Sequence, residues 1–170
     1  EKITSKTKAI FPVHYAGISC EMDEIAKIAR KNNLFVIEDS AQGVNAKYRD
    51  KFLGTLGDMG VYSFHESKNY TCGEGGALIL NHEKFVERAE ILREKGTNRS
   101  KFFRAEIDKY TWVDIGSSWL PSDILAAYLY GQLVNMDQIN DKRKAVFDYY
   151  YENLEQLDLK GIIRRPIIPE

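Results

Sequence analysis

The sequence predicts an α/β fold, in which a mixed, mostly parallel β-sheet is covered by helices. The prediction rests on an apolar strand over residues 9–13, an amphipathic helix over 22–30 and a second apolar strand over 34–37. A strand, a helix and a strand within about thirty residues make a βαβ unit, whose two strands run parallel. Residues 34–37 are apolar on both faces, which is typical of a strand buried between helices.

The helix of this unit is predicted by its apolar residues, which recur at the spacing of one helical face. These residues are Met22, Ile25, Ala26, Ile28 and Ala29. Asn32 and Asn33 predict its end, because asparagine is common where a helix stops. Pro12 predicts the end of the first strand, because proline has no N–H to donate to a neighbouring strand.

The sheet is predicted to continue beyond this unit. Residues 44–58 are rich in turn-forming residues and predict a small hairpin or loop. Two further strands are predicted over 60–64 and 77–80, and the segment that joins them contains Lys68.

The rest of the chain is predicted to be helical except for one long loop. A charged amphipathic helix is predicted over 83–95. Residues 97–118 show little periodicity and predict a long functional loop. Helices are predicted over 121–133 and about 137–157, and residues 164–170 are predicted to run extended.

Composition indicates an ordinary soluble globular protein. The 170 residues are 44% hydrophobic and 29% charged, enough to bury a core. The net charge of −1, from 24 basic and 25 acidic residues, gives no reason to expect a nucleic-acid or membrane partner. Cys20 and Cys72 lack metal or redox spacing, so we expect no metal site and reduced thiols in a cytoplasmic protein.

Two residues of opposite charge follow predicted strands. Asp39 ends the apolar run that begins at residue 34, and Lys68 lies between polar residues and the Gly-rich turn 73–76. Functional groups of α/β sheets gather at such strand ends. An amine and a carboxylate facing each other there suit pyridoxal phosphate, which forms an imine with a lysine and presents a ring nitrogen to an acid. The alternatives are a surface lysine in a connecting loop and an aspartate that caps a following helix.

Neighbouring polar residues extend this candidate site. Gln42 could hydrogen-bond the ring hydroxyl of such a cofactor or pack on its ring, and Ser63 could donate to its phosphate. The glycines of residues 73–76 allow close backbone approach, although a plain hairpin turn would also explain them. His14 and His65 fit a structural role as well as a catalytic one, and no role is assigned to them.

Several motifs carry a resemblance to a known family: Pro-Val-His-Tyr-Ala-Gly at 12–17, Ile-Glu-Asp-Ser-Ala-Gln-Gly at 37–43, Gly-Asp at 57–58 and the segment 63–76. Together they resemble the nucleotide-sugar aminotransferases, pyridoxal-phosphate enzymes with the aspartate aminotransferase (type I) fold. Residues 94–100 and 109–118 are similar to one branch in particular, the dTDP-4-amino-4,6-dideoxygalactose transaminases. That branch makes an amino sugar for bacterial surface polysaccharides such as lipopolysaccharide and enterobacterial common antigen.

The resemblance implies a role for five residues. Lys68 would be the imine lysine and Asp39 the partner of the ring nitrogen. Gln42 would contact the ring, and Ser63 would contact the phosphate. The resemblance also implies a homodimer with shared active sites, in which the loop around Ser118 reaches the partner's cofactor. Many relatives have an asparagine at the position of Ser118, and a serine there can still donate a hydrogen bond.

The implied reaction is amino transfer from L-glutamate to the keto group of a 4-keto-6-deoxy nucleotide sugar, of the dTDP-4-keto-6-deoxyglucose type. Lys68 would move the proton between the donor's α-carbon and the cofactor. Some relatives with this fold are sugar dehydratases that carry histidine in place of the lysine, and Lys68 argues against that alternative. A second alternative is a non-catalytic fragment or pseudo-enzyme that acts only by self-association.

Members of the family are longer than this chain. The resemblance therefore implies that residues 1–160 form part of the large pyridoxal-phosphate-binding domain, without its N-terminal part. Residues 161–170 would begin the connection to a C-terminal small domain. We expect the 170-residue chain alone to be inactive.

Overall fold

A four-stranded mixed sheet forms the centre of the protein. The computed structural model describes residues 2–168, which form the strands β1 (Ala9–Ile10), β2 (Phe35–Asp39), β3 (Lys47–Tyr48), β4 (Lys51–Phe52), β5 (Met59–Ser63) and β6 (Gly76–Leu80). The central sheet has the order β1-β2-β5-β6. β1 runs parallel to β2 and β2 to β5, whereas β5 and β6 are antiparallel. The predicted fold class, α/β with a mixed and mostly parallel sheet, is confirmed.

Residues 2–168 also form six α-helices, of which the first packs directly on the sheet. They are α1 (Met22–Asn32), α2 (Val86–Arg93), α3 (Arg99–Phe103), α4 (Asp123–Leu133), α5 (Met136–Asn153) and α6 (Glu155–Leu159). α1 ends as predicted, at Asn33, which takes the left-handed conformation with a φ of 53°. α4 begins at Ser122, whose hydroxyl oxygen accepts a hydrogen bond from the N–H of Leu125 at 3.3 Å. No helix within residues 2–168 is both long and apolar enough to cross a membrane.

The region between β6 and α4 differs from the sequence prediction. The predicted single helix over 83–95 is instead a 3₁₀ turn followed by α2. α2 ends at Arg93, and the chain then turns at Lys95 and Gly96, which both have positive φ. The loop predicted over 97–118 contains α3 and is held in place by two β-bridges, Thr97 with Trp112 and Glu94 with Ser118. The returning chain passes so close that a Cβ on Gly96 would overlap the carbonyl oxygen of Asp114. These contacts join residues far apart in sequence, which local periodicity does not report.

Two smaller predictions have mixed outcomes. The hairpin predicted within residues 44–58 is confirmed as the antiparallel pair of β3 and β4. The helix predicted over about 137–157 is divided into α5 and α6. Of the extended run predicted over 164–170, residues 164–168 form no helix or strand, and residues 169 and 170 lie outside the described residues.

Two buried apolar clusters hold helices on the sheet. In the first, Met22 and Ala29 of α1 pack with Val36 of β2. The second is formed by the segment after β5, packed against α4 and α5, and its buried members are Phe64, Tyr70 and Cys72. The first cluster fixes α1 on the sheet, and the second fixes the segment that contains Lys68.

A buried carboxylate, Glu38, lies between β2 and the turn that precedes β5. Its side chain is inaccessible to solvent, and Oε2 lies 3.0 Å from Nε2 of His14. Three backbone N–H groups of the turn donate to it at 2.8, 2.6 and 2.6 Å, those of Gly54, Leu56 and Gly57. Nδ1 of His14 accepts from the N–H of Cys20 at 3.1 Å, so Nε2 carries the hydrogen that Glu38 accepts. His14 therefore has a structural role, because it links Glu38 to the backbone at Cys20.

Burial and hydrogen bonding act in opposite directions on Glu38. Burial alone raises the pKa of this carboxyl, because the interior disfavours a charge. The hydrogen bonds from His14 and from the turn outweigh burial and hold the pKa below its usual value. Glu38 is therefore ionised in the folded protein at neutral pH, and its charge is distributed over four donors.

Polar contacts also fix α4 and α5 to the segment after β5. The hydroxyl of Tyr70 donates to the carbonyl oxygen of Met136 at 3.3 Å, at the first residue of α5. The N–H of Thr71 donates to Oε1 of Gln132 at 3.1 Å, and Nε2 of Gln132 donates to the carbonyl oxygen of Thr71 at 2.6 Å. The corner between the two helices is therefore held directly on the residues that follow Lys68.

Replacing Glu38 with Gln is expected to lower the free energy of unfolding by about 1–3 kcal/mol at neutral pH, because the three N–H groups of the turn lose a buried charged acceptor. Because folding lowers the pKa of Glu38, its contribution is complete above the ordinary glutamate pKa of about 4.3 and is lost as the pH falls through the folded value. The difference between wild type and variant should therefore shrink in acid. Urea unfolding between neutral and acidic pH measures it.

The matched control is Glu152→Gln, at an exposed position of α5, which should change stability by less than about 0.5 kcal/mol. A difference between wild type and Glu38→Gln that stays constant down to acidic pH would contradict the role given to the ionised carboxylate.

Replacing Gln132 with Met is expected to destabilise the segment after Lys68 by about 1–3 kcal/mol, because both backbone groups of Thr71 lose their partner. Amide hydrogen exchange should report this as weaker protection at Thr71. Gln138→Met, at an exposed position of α5, is the control and should leave that protection unchanged. Equal protection of Thr71 in all three proteins would show that the amide pair does not hold the segment.

Candidate active site

A cavity of about 450 Å³ opens at the carboxyl ends of β2 and β5. These two strands are parallel, so the segments that follow them meet at one edge of the sheet. The volume lies within the range of small-molecule sites, about 300–1,000 Å³. The polar residues that line it are Gln42, Ser63, Ser67, Lys68, Asn69 and Arg143. Three of the five residues predicted from the sequence, Lys68, Gln42 and Ser63, therefore lie around one cavity.

Lys68 lies in a turn immediately after β5. Its backbone N–H donates to the carbonyl oxygen of His65 at 3.0 Å, and its side chain is half-buried. Within residues 2–168, no carboxylate oxygen lies within 4.0 Å of its Nζ. The ring of His65 is held by the hydroxyl of Ser67, with Nδ1 and Oγ 2.8 Å apart. The amine of Lys68 is therefore positioned by an ordered turn and faces the cavity without a neighbouring acid.

Gln42 joins two sides of the cavity. Its Oε1 accepts a hydrogen bond from the backbone N–H of Ala16 at 2.6 Å. Ala16 also lines the cavity and has a φ of 56°, so the Gln42 contact holds a turn in a conformation that non-glycine residues seldom adopt. The carbonyl side of the Gln42 amide is thus used by the protein, and its NH₂ group is the side available to a ligand.

Ser63 is the last residue of β5. Its Oγ accepts a hydrogen bond from the N–H of His65 at 3.3 Å. A hydroxyl that accepts in this way keeps its own hydrogen for another acceptor. Ser63 can therefore donate to an anionic group in the cavity, which is the chemistry predicted for it.

Asp39 is the last residue of β2 and is not among the residues that line the cavity. Its Oδ1 accepts from the backbone N–H of Ala41 at 3.1 Å, an interaction within a turn rather than a helix cap. Within the described residues, Oδ2 has no hydrogen-bond partner. Ala41 and Gln42, which are two and three residues after Asp39, do line the cavity. Asp39 thus lies at its edge, and its pairing with a ring nitrogen stays a prediction.

Ser118 lies away from the cavity. It is exposed and pairs with Glu94 in an isolated antiparallel bridge. Its predicted partner is the cofactor of a second subunit, so the prediction concerns a contact between chains and stays a prediction.

Sequence reasoning missed one charged residue of the cavity, Arg143 of α5. A signal for it was present, because Met136, Ile139 and Arg143 are spaced three and four residues apart and so share one helical face. A single arginine that continues an apolar face is a candidate for a position at the edge of the core. The predicted helix α5 placed Arg143 on this face, but the sequence did not show which part of the protein the face contacts.

The residues of the cavity fit pyridoxal phosphate by their chemistry. A primary amine suits its aldehyde, while hydroxyl, amide and guanidinium groups suit its phosphate and its ring hydroxyl. Lys68 and Arg143 bring two positive charges, and no aspartate or glutamate is among the lining residues. The cavity is therefore complementary to an anionic ligand.

The chain is similar to two curated GDP-perosamine synthases over most of its length. It is 36% identical over 158 residues to the GDP-perosamine synthase of Escherichia coli O157:H7 and 37% identical over 155 residues to that of Caulobacter vibrioides. These matches cover 92% and 91% of this chain but only 41% and 40% of the two relatives. That share fits the prediction that the sequence is part of a longer chain.

Solved structures share its fold. An aminotransferase from Psychrobacter cryohalolentis has a TM-score of 0.84 at 32% identity, over 94% of this chain and 41% of that one. Spr1654 of Streptococcus pneumoniae in its PLP form has a TM-score of 0.79 at 25% identity, over 90% and 43%. DesI, in the presence of its TDP-sugar product, has a TM-score of 0.79 at 26% identity, over 92% and 38%.

The family follows from a match along the chain. Residues 1–167 match the DegT/DnrJ/EryC1/StrS aminotransferase family. The predicted cofactor, pyridoxal phosphate, is confirmed for this family. The predicted branch within it stays a prediction, as do the two predicted domain segments. The chain belongs to the DegT/DnrJ/EryC1/StrS aminotransferase family.

Proposed function

We propose that this chain carries the lysine side of the active site of a nucleotide-sugar aminotransferase. The observation that supports the proposal most directly is Lys68, whose amine has no acid within 4.0 Å among residues 2–168 and faces a cavity also lined by Ser63 and Gln42. A lysine that forms an imine needs an amine that is accessible and is not held in an ion pair.

Pyridoxal phosphate, when bound, supplies an electron-withdrawing ring next to the nitrogen that is transferred. Lys68 would hold the cofactor covalently through Nζ until the amino group of the donor takes its place. The Nζ amine released in this exchange would then move the proton from the α-carbon of the donor to the C4′ carbon of the cofactor, as general base and general acid. The hydrogen bond from the backbone N–H of Lys68 to the carbonyl oxygen of His65 holds the backbone from which the amine extends.

The other residues bind and orient. Asp39 would hold the proton on the ring nitrogen through the carboxylate oxygen that its own turn leaves unused. The hydroxyl of Ser63 would donate to the phosphate, and the NH₂ group of Gln42 would contact the ring or its hydroxyl, since neither group is used in the hydrogen bonds that these side chains accept. In a homodimer, Ser118 donates to the phosphate of the neighbouring site.

The acceptor is proposed to be a 4-keto-6-deoxy nucleotide sugar of the dTDP type, and the donor L-glutamate. The GDP-perosamine synthases and the TDP-sugar complex of DesI support a nucleotide sugar as the substrate class. The product would serve the synthesis of bacterial surface polysaccharide in the cytoplasm.

A homodimer is supported by the surface around Ser118. Trp112, Ile115 and Trp119 are 78%, 75% and 71% exposed. The three residues lie within eight positions of one another in the sequence, and exposed large apolar side chains that lie together are typical of a surface that other protein structure covers. Ser118 lies between Ile115 and Trp119 in the sequence, so contact through this surface would bring it against a second chain.

The proposal is tested on the full-length protein incubated with pyridoxal phosphate and then reduced with borohydride. Peptide mass spectrometry should find the pyridoxyl group on Lys68, and the visible absorption of the bound cofactor should disappear. Lys68→Ala should lose the label and at least about 10²–10⁴-fold in transamination rate. Lys142→Ala, at an exposed position of α5, is the control and should keep both.

Three results would count against the proposal. A pyridoxyl group on another lysine would remove Lys68 from the reaction. Amino transfer that persists in Lys68→Ala at the wild-type rate would do the same. Uptake of cofactor without transfer to any keto sugar would favour the non-catalytic alternative. Rates with dTDP- and GDP-linked keto sugars, and with glutamate against other amino acids, decide the acceptor and donor.

A further inference from the structure

The cavity holds a second positive charge that the proposed function leaves without a role. Arg143 lines it together with Lys68, and no acidic residue is among the lining residues. Five other arginines form ion pairs within 4.0 Å: Arg49, Arg88, Arg99, Arg104 and Arg165. Within the described part of the chain, Arg143 forms none. A guanidinium next to a cavity without a counter-charge is suited to bind an anion there.

The position of Arg143 is set by contacts that other residues of α5 make with the core. Met136 and Ile139 pack against the cluster that contains Tyr70, and the hydroxyl of Tyr70 donates to the carbonyl oxygen of Met136 at 3.3 Å. Arg143 follows on the same face of α5, seven residues and so about 10 Å along the helix axis from Met136. Because Tyr70 is only two residues after Lys68, one buried anchor positions both cations of the cavity.

From this arrangement we infer that Arg143 binds an oxyanion of the molecule that occupies the cavity. The inference rests on the proposed function, because it places the anion in the same site as Lys68. Two groups have the required chemistry, namely the phosphate of the cofactor and the α-carboxylate of the amino donor. Both match the planar pair of N–H donors that a guanidinium presents, whereas a lysine offers a single point charge.

The test uses spectral titration of the full-length protein with pyridoxal phosphate and with pyridoxal, which lacks the phosphate. If Arg143 binds that phosphate, Arg143→Gln raises the Kd for pyridoxal phosphate about tenfold to a hundredfold and leaves the Kd for pyridoxal within about twofold. Arg143→Lys restores part of the affinity, because it keeps the charge but loses the paired donors. Lys142→Gln, the preceding residue on α5, is the matched control and keeps the wild-type value for both.

The second arm examines the amino donor. If Arg143 binds the donor carboxylate, Arg143→Gln leaves the Kd for pyridoxal phosphate unchanged but raises the KM for the donor at least tenfold with little change in kcat. Either result supports the inference and identifies the anion. Cofactor affinity and donor KM that both match those of Lys142→Gln would overturn it.

Failure of the proposed function would look different. In that case wild type forms no covalent link with pyridoxal phosphate at Lys68. Inorganic phosphate then serves as the probe, with its binding measured by calorimetry. Binding to wild type and Lys142→Gln but not to Arg143→Gln would still support an oxyanion site at Arg143, and equal or absent binding in all three proteins would overturn it.

Discussion

The site depends on the hydrogen bonds that the buried carboxylate of Glu38 accepts. It joins β2 to His14 on one side and to the turn at 54–57 on the other, with every contact at 3.0 Å or less. The turn lies so close to β5 that a Cβ on Gly60 would overlap the carbonyl oxygen of Gly54. Gly60 pairs with Glu38 across the sheet, so the same contacts set the register of β2 and β5. Since successive residues of a strand face opposite sides, fixing Glu38 in the interior also fixes where Asp39 points.

A second constraint acts on the segment that carries Lys68. The N–H of Phe64 donates to the carbonyl oxygen of Gly75, and the N–H of Cys72 donates to that of Phe64, at 2.8 and 2.9 Å. The segment is therefore closed at its base and buried through Tyr70, while Lys68 itself stays accessible. This arrangement is what the proposed role of Lys68 requires. The backbone around it is held by the core, and its side chain remains accessible from the cavity.

The sequence predicted those features that are local or that follow from strand ends. The βαβ unit was visible in its periodicity. Parallel strands bring their carboxyl ends together, which is why the sequence could predict that Lys68, Gln42 and Ser63 lie around one cavity. Arg143 was missed because its place depends on how α5 packs against Tyr70, a contact between distant parts of the chain. The choice between a structural and a catalytic role for His14 stayed open for the same reason, since its partner Glu38 lies on another strand. α3 was missed because the bridges that define its loop join residues that no local pattern relates.

The exposed surface of α4 is apolar. α4 carries apolar residues on all sides, and Ile124, Tyr128 and Tyr130 are 81%, 62% and 67% exposed. A helix that is apolar all round is stable when other structure covers it. The same helix, through Gln132, holds the segment after Lys68. Protein that packed on α4 would therefore stabilise the lysine segment as well, so association and cofactor binding at this site are expected to strengthen each other by linkage.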